Sequence, residues 1–140
     1  MNGEQLFVKH QLSTATDARG DLTAFDKLDE IVDWQIKRSY WVTDTKLARG
    51  GHCVKGEKKF YVMAQGSCLA KIYDGMNWFE VQLNGPRDVL EFKGDLWREF
   101  HDFSENSVMF TLCNMHYDKS KYILDLKEYQ QYIENLKSHE

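Results

Sequence analysis

Six consecutive residues, Arg49-Gly50-Gly51-His52-Cys53-Val54, carry the chain's strongest chemical signal. Neither glycine has a Cβ, so the backbone there can turn and come close to a ligand. The pair follows a strand-like run ending near Val42, and His52 stands just ahead of the next, Lys59 to Ala64. An imidazole titrates near neutrality, which suits it to taking and returning a proton at working pH. A second histidine two residues on would make a metal-ligating pair, but Val54 stands there and cannot ligate. The spacing points to proton transfer by a single base. The plainer alternative is a hydrogen-bonded structural histidine at a strand start.

Other chemical signatures are missing. His10, His116 and His139 show no ligand spacing with one another, and no Walker, G-x-G-x-x-G or G-x-S-x-G motif occurs. Neither a metal nor a cofactor is expected. Cys53, Cys68 and Cys113 are odd in number and lack C-x-x-C spacing, the pattern of free thiols in a reducing cytoplasm. A net charge of −4 argues against nucleic acid as the main partner. No basic-then-apolar leader and no apolar run of membrane-spanning length is present.

The elements that must position these residues are mostly strands. The 140 residues suit one domain, 1–140, and 42% hydrophobic with 14% aromatic content suits a β-rich core. Asp17-Ala18-Arg19-Gly20-Asp21 reads as a turn leading into a strand, Leu22 to Phe25. Trp34 to Val42, Phe60 to Ala64, Cys68 to Tyr73 and Trp78 to Leu83 read as further strands, with Asp74-Gly75 as a hairpin signal. Val89 to Phe92, Leu96 to Phe103 and Val108 to Asn114 complete the set. Short strands at regular spacing indicate an all-β sandwich or barrel. The period then changes: Tyr122, Ile123, Leu126, Tyr129, Ile133 and Leu136 form one apolar stripe, predicting a helix over about 119–137 capped by Asp118 or Ser120.

Several separated segments together resemble the dTDP-sugar 3,4-ketoisomerases, small cupins that move the ketone of a dTDP-4-keto-6-deoxyhexose from C4 to C3. They are Asp17-Ala18-Arg19-Gly20, Ile36-Lys37-Arg38-Ser39-Tyr40, Asp44-Thr45-Lys46, Arg49-Gly50-Gly51-His52, Gly66-Ser67-Cys68, Trp97 with Glu99, His101-Asp102-Phe103-Ser104, Tyr117-Asp118 and Tyr122-Ile123. The resemblance implies a jelly-roll cupin with a C-terminal helix, a dTDP-linked keto-sugar as ligand, and a homodimer made by exchanging β structure. The chain also departs from the family pattern. Val54 replaces the second histidine of R-G-x-H-A-H, Arg98 stands in Trp-His-Glu, and Lys58 falls near the cupin glutamate.

Moving a ketone from C4 to C3 requires removal of the C3 proton, an enediol or enediolate, and reprotonation at C4. On the resemblance, His52 is the base, Tyr40 relays a hydroxyl proton, and Arg49 stabilises the oxyanion. Arg38 and Arg19 are candidates for the ligand's phosphates, Arg38 being the better placed for a diphosphate. Trp97 is a candidate to stack on the base or to fill the barrel. Glu99 and His101 follow it at alternate positions, so all three share one face; both are further candidates for contact with the ligand, Glu99 being otherwise half of a structural ion pair. A cupin that binds a dTDP-sugar but has lost turnover is the alternative function.

Overall fold

The computed structural model describes residues 6–139. Three strands come first, β1 (Phe7–Gln11), β2 (Ser13–Asp17) and β3 (Gly20–Ala24), followed by a single helical turn, α1 (Leu28–Ile31). Eight strands follow: β4 (Arg38–Thr43), β5 (Arg49–Val54), β6 (Lys59–Gln65), β7 (Ser67–Tyr73), β8 (Trp78–Asn84), β9 (Asp88–Phe92), β10 (Trp97–His101) and β11 (Val108–Cys113). A two-residue β12 (Tyr122–Ile123) and the helix α2 (Leu126–Lys137) come last.

Two five-stranded antiparallel sheets face each other, one ordered β1-β9-β6-β11-β4 and the other β12-β5-β10-β7-β8. This is the all-β cupin sandwich expected from the sequence. Alternation along each strand sorts the side chains into layers. Tyr61, Met63, Ile72, Leu83, Leu90, Phe92 and Phe100 form the core between the sheets. Phe60, Val62 and Val89 face outward from the first sheet, covered by Phe25, Leu28, Val32 and Trp34. On the outside of the second sheet, Cys53, Tyr73, Trp97 and Ile123 are covered by Tyr129 and Ile133 of α2. Among the described residues, no helix is long and apolar enough to cross a membrane.

Three expectations change. The helix starts at Leu126, because Asp125 caps it by accepting from the Lys127 amide. Asp118 instead caps a 3₁₀ turn, Lys119–Lys121, and Tyr122 and Ile123 pair with Val54 and Cys53 as an edge strand. The run from Trp34 becomes a strand only at Arg38; Trp34 itself packs its ring 5.5 Å from Phe60. Gly50-Gly51 is not a turn between strands but part of β5, with φ of +87° and +73°. Register between β5 and β10 shifts at that point, and a Cβ on Gly50 would lie 2.8 Å from the Arg98 carbonyl oxygen. Only glycine fits this bulge.

Candidate active site

β5 places His52 on the inner face of its sheet, opposite Arg98 of β10. β4, at the edge of the other sheet, brings Tyr40 across from it. Between them lies a cavity of about 70 Å³, lined by Tyr40, Arg49, His52, Tyr61, Phe100 and Met109 among others. The three residues assigned to catalysis from the sequence, His52, Tyr40 and Arg49, thus line one space. The His52 ring packs 5.0 Å from Tyr122, and its Nδ1 is buried with no hydrogen-bond partner. Burial first, then the charges of Arg98 and Lys59, push the His52 pKa down to about 3. The imidazole is therefore neutral at working pH and has a free lone pair.

Beneath the cavity runs a buried ionic cluster that sequence reasoning largely missed. Glu57, Lys59 and Arg98 are 2%, 0% and 1% exposed. Arg98 Nη1 donates to Glu57 Oε1 at 2.8 Å and to the Tyr61 hydroxyl at 3.0 Å, while Nε and Nη2 donate to the Leu96 carbonyl. Lys59 Nζ lies 3.5 Å from Glu57 Oε1 and donates to the Tyr40 hydroxyl at 2.6 Å. Burial works against the Lys59 ammonium, but Tyr61, Tyr40 and Glu57 outweigh it and hold its pKa above the ordinary lysine value. Such a cluster survives desolvation only because every charge is paired or hydrogen-bonded. Of the two neighbouring lysines it is Lys59 that comes near the site, and not the Lys58 picked out by the family pattern; Lys58 is held through its backbone amide by Asn114 Oδ1. The available signal was alternation, since Lys59 and Tyr61 share one face of β6.

The ligand-contact candidates divide. Arg38 is on the same face of β4 as Tyr40, its guanidinium 4.5 Å above the Tyr40 ring and 5.2 Å from that of Tyr117. It stacks on Tyr40, a residue of the cavity wall, without lining the cavity itself. Arg19 is at the turn of the β2–β3 hairpin, 90% exposed and paired with Asp17 at 2.6 Å. Trp97, Glu99 and His101 do share a face, but it is the outer one. Trp97 packs 6.0 Å from Tyr129 of α2, and its Nε1 donates to Glu99 Oε2 at 2.9 Å. His101 Nε2 is 2.9 Å from Glu99 Oε1. Arg98, between them, points inward instead. The expectation that these three residues face the ligand beside His52 is corrected: β10 turns them to the opposite side of the sheet.

The family model described as WxcM-like, C-terminal (FdtA) matches residues 7–134. A TDP-4-oxo-6-deoxy-α-D-glucose-3,4-oxoisomerase from Aneurinibacillus thermoaerophilus is 34% identical over 119 residues, 84% of this chain and 85% of that protein. The chain belongs to the TDP-sugar 3,4-ketoisomerase family. Among solved structures, a 3,4-ketoisomerase from Helicobacter canadensis superposes with a TM-score of 0.84 at 31% identity, covering 91% of this chain and 97% of the other. QdtA, a sugar 3,4-ketoisomerase from Thermoanaerobacterium thermosaccharolyticum in complex with TDP, gives 0.83 at 26% identity, covering 92% and 95%. The buried Glu57–Arg98–Lys59 cluster thus sits within a ketoisomerase fold. Among the described residues, no group of three or more His, Cys, Asp or Glu side chains could hold a metal ion.

Proposed function

We propose that this chain is a TDP-sugar 3,4-ketoisomerase that moves the ketone of a TDP-4-keto-6-deoxyhexose from C4 to C3. The observation that carries the reading is the convergence of His52, Tyr40 and Arg49 on one cavity in a member of this family. His52, neutral and lining the cavity, takes the C3 proton and returns it to C4. Its basicity is held low by burial first and then by the charges of Arg98 and Lys59. Negative charge developing on the substrate's oxygens offsets those cations, so the imidazole becomes a better base as the enediolate forms. Arg49 stabilises that oxyanion. Arg38, between Tyr40 and Tyr117, takes the diphosphate.

The same reading includes a homodimer. The β2–β3 hairpin belongs to neither large sheet, and its Leu22 is 66% exposed. β4 is a sheet edge with Trp41 68% exposed on its outer side. An unpaired edge and a projecting hairpin are the features that β exchange would cover. Arg19 would then reach the partner's surface. The three cysteines are free and buried, consistent with work in a reducing cytoplasm.

The deciding experiment is incubation with TDP-4-keto-6-deoxyglucose in D₂O, followed by NMR. Loss of the C3 hydrogen signal together with appearance of the 3-keto product is the expected result. Neither exchange nor product, with TDP bound, would leave a binding protein. A sedimentation profile of a stable monomer at micromolar concentration would remove the dimer.

A further inference from the structure

We propose that Lys59 is the positioning residue of a second proton-transfer group, and that the Tyr40–Lys59 pair does the oxygen-to-oxygen transfer that accompanies His52's carbon-to-carbon one. The proposal rests on the ketoisomerase reading and adds a residue to it.

A 3,4-ketoisomerisation moves two protons. One leaves C3 and arrives at C4; the other leaves the O3 hydroxyl and arrives at O4. His52 can account for the first. Val54, 2% exposed, offers no group for the second on His52's own strand. Across the cavity, Tyr40 offers a phenol whose position is fixed from behind. The Lys59 ammonium, fully buried, donates to the Tyr40 oxygen at 2.6 Å, and its nitrogen lies 4.7 Å from that ring's centroid. An ammonium has only protons to give, so the phenol oxygen must be the acceptor in this bond. Among the described residues Lys59 is the hydroxyl's one hydrogen-bond partner. The phenol's own proton is thereby left free for a ligand in the cavity that Tyr40 lines.

The charge balance fits the same role. Two buried cations, Lys59 and Arg98, face one buried carboxylate, Glu57. Arg98 makes the shorter contact with that carboxylate, 2.8 Å against 3.5 Å, and Lys59 is left with charge to spare toward Tyr40.

The step balances without any oxidant. As His52 takes the C3 proton, the C–H electron pair forms the C3–C4 double bond, and the C4 carbonyl oxygen takes the Tyr40 proton. The enediol then stands between an imidazolium and a phenolate, with Lys59 opposite the phenolate. The phenolate next takes the O3 proton, the O3 electron pair forms the C3 carbonyl, and the double-bond pair takes the proton from His52 at C4. Both side chains end as they began.

The test measures kcat, KM, TDP affinity and C3 exchange in D₂O for Tyr40→Phe, Lys59→Met, the double variant and Lys59→Gln. Tyr40→Phe is expected to lower kcat by about 10²–10⁴-fold, the range for losing a general acid–base group. Lys59→Met should approach that loss, and the double variant should fall no further, because both changes disable one unit. KM and TDP affinity should stay near wild type, and C3 exchange should outlast product formation, since His52 is intact. Lys59→Gln, whose amide can still donate to the phenol, should recover part of kcat. Wild-type kcat in Lys59→Met, or losses that multiply in the double variant, would overturn the proposal while leaving the isomerase reading in place. So would an equal loss of exchange, product and TDP binding, the mark of a merely structural lysine. Should Lys59→Met fail to fold, Lys59→Gln, Tyr40→Phe and their double variant read the same non-additivity. Wild-type protein showing neither exchange nor product would instead sink the isomerase reading, and this proposal with it.

Discussion

The two faces of β10 make the most instructive contrast in the molecule. From one strand of five residues, Arg98 and Phe100 point between the sheets, and Trp97, Glu99 and His101 point away. The inward face holds a charge that is 1% exposed and tied by hydrogen bonds to Glu57, Tyr61 and Leu96. The outward face also has a charged group, Glu99, but its side chain is 28% exposed and can lean on water. Inside, the electrostatics act on His52 with little screening. Outside, similar hydrogen bonds only trim a surface. Chemistry therefore concentrates on the side where charge is dry.

The largest expected effect breaks the inner face directly. His52→Asn should lower turnover by about 10²–10⁴-fold, as for the loss of a general base, with TDP affinity held by Arg38 and its neighbours. His101→Asn, on the other face of the sheet, should leave turnover unchanged. Product formation and TDP titration on the two variants check the contrast, and equal losses would show that the faces are not functionally distinct. Next in size is Glu57→Gln. It leaves Lys59 and Arg98 buried without a carboxylate, a change that typically costs about 3–5 kcal/mol. Chemical denaturation should detect it easily, and a cost below about 1 kcal/mol, the level of an exposed pair, would mean that the cluster is wetter than its burial suggests.

How much of this was legible beforehand follows from what alternation can and cannot fix. That Trp97, Glu99 and His101 share a face could be read from their spacing; that the face is outward could not. Period two fixes parity and leaves the side open, and here the covering helix decides it. The same limit explains Lys58 and Lys59. One residue of register separates an outward lysine from a fully buried one, and charged residues in strands are ordinarily read as exposed. Tyr40, Arg49 and His52 line one cavity, and Gly50-Gly51, which the sequence marks only as a place where the backbone can turn, is the bulge that lets β5 approach β10. The helix start was misread because Asp118 and Asp125 are both competent caps. Only pairing of Tyr122 and Ile123 with the edge of β5 selects the second.

A pH series sharpens the comparison further. The His52 pKa falls from 6.5 in the unfolded chain to about 3 in the folded one, so between those values the unfolded chain binds the extra proton. Stability from this group is complete above pH 6.5 and is lost as pH falls toward 3, with a slope approaching about 1.4 kcal/mol per pH unit. Thermal melts of wild type and His52→Asn from pH 7 to pH 4 should show a shallower acid slope in the variant. Parallel slopes would mean that His52 is better solvated than the cavity geometry implies.

The smallest effect belongs to the outer face. Burial disfavours the Glu99 carboxylate, but hydrogen bonds from Trp97 and His101 outweigh it and leave its pKa below that of an ordinary glutamate. The sign follows: this stabilisation is present above the unfolded carboxylate pKa and disappears as pH falls through the lower folded one. Glu99→Gln keeps the shape, removes the charge, and should cost less than about 1 kcal/mol at neutral pH, the usual scale for a partly exposed pair. The difference between wild type and variant should then shrink only below the carboxylate range, where His52 has already lost much of its own contribution. Melts of both proteins at pH 7, 5 and 3.5 separate the two windows, and turnover should be unchanged throughout the range where the protein is folded. A Glu99→Gln protein with normal stability and impaired turnover would reverse the assignment of faces, returning Glu99 to the ligand and making the outer surface of β10 part of the site.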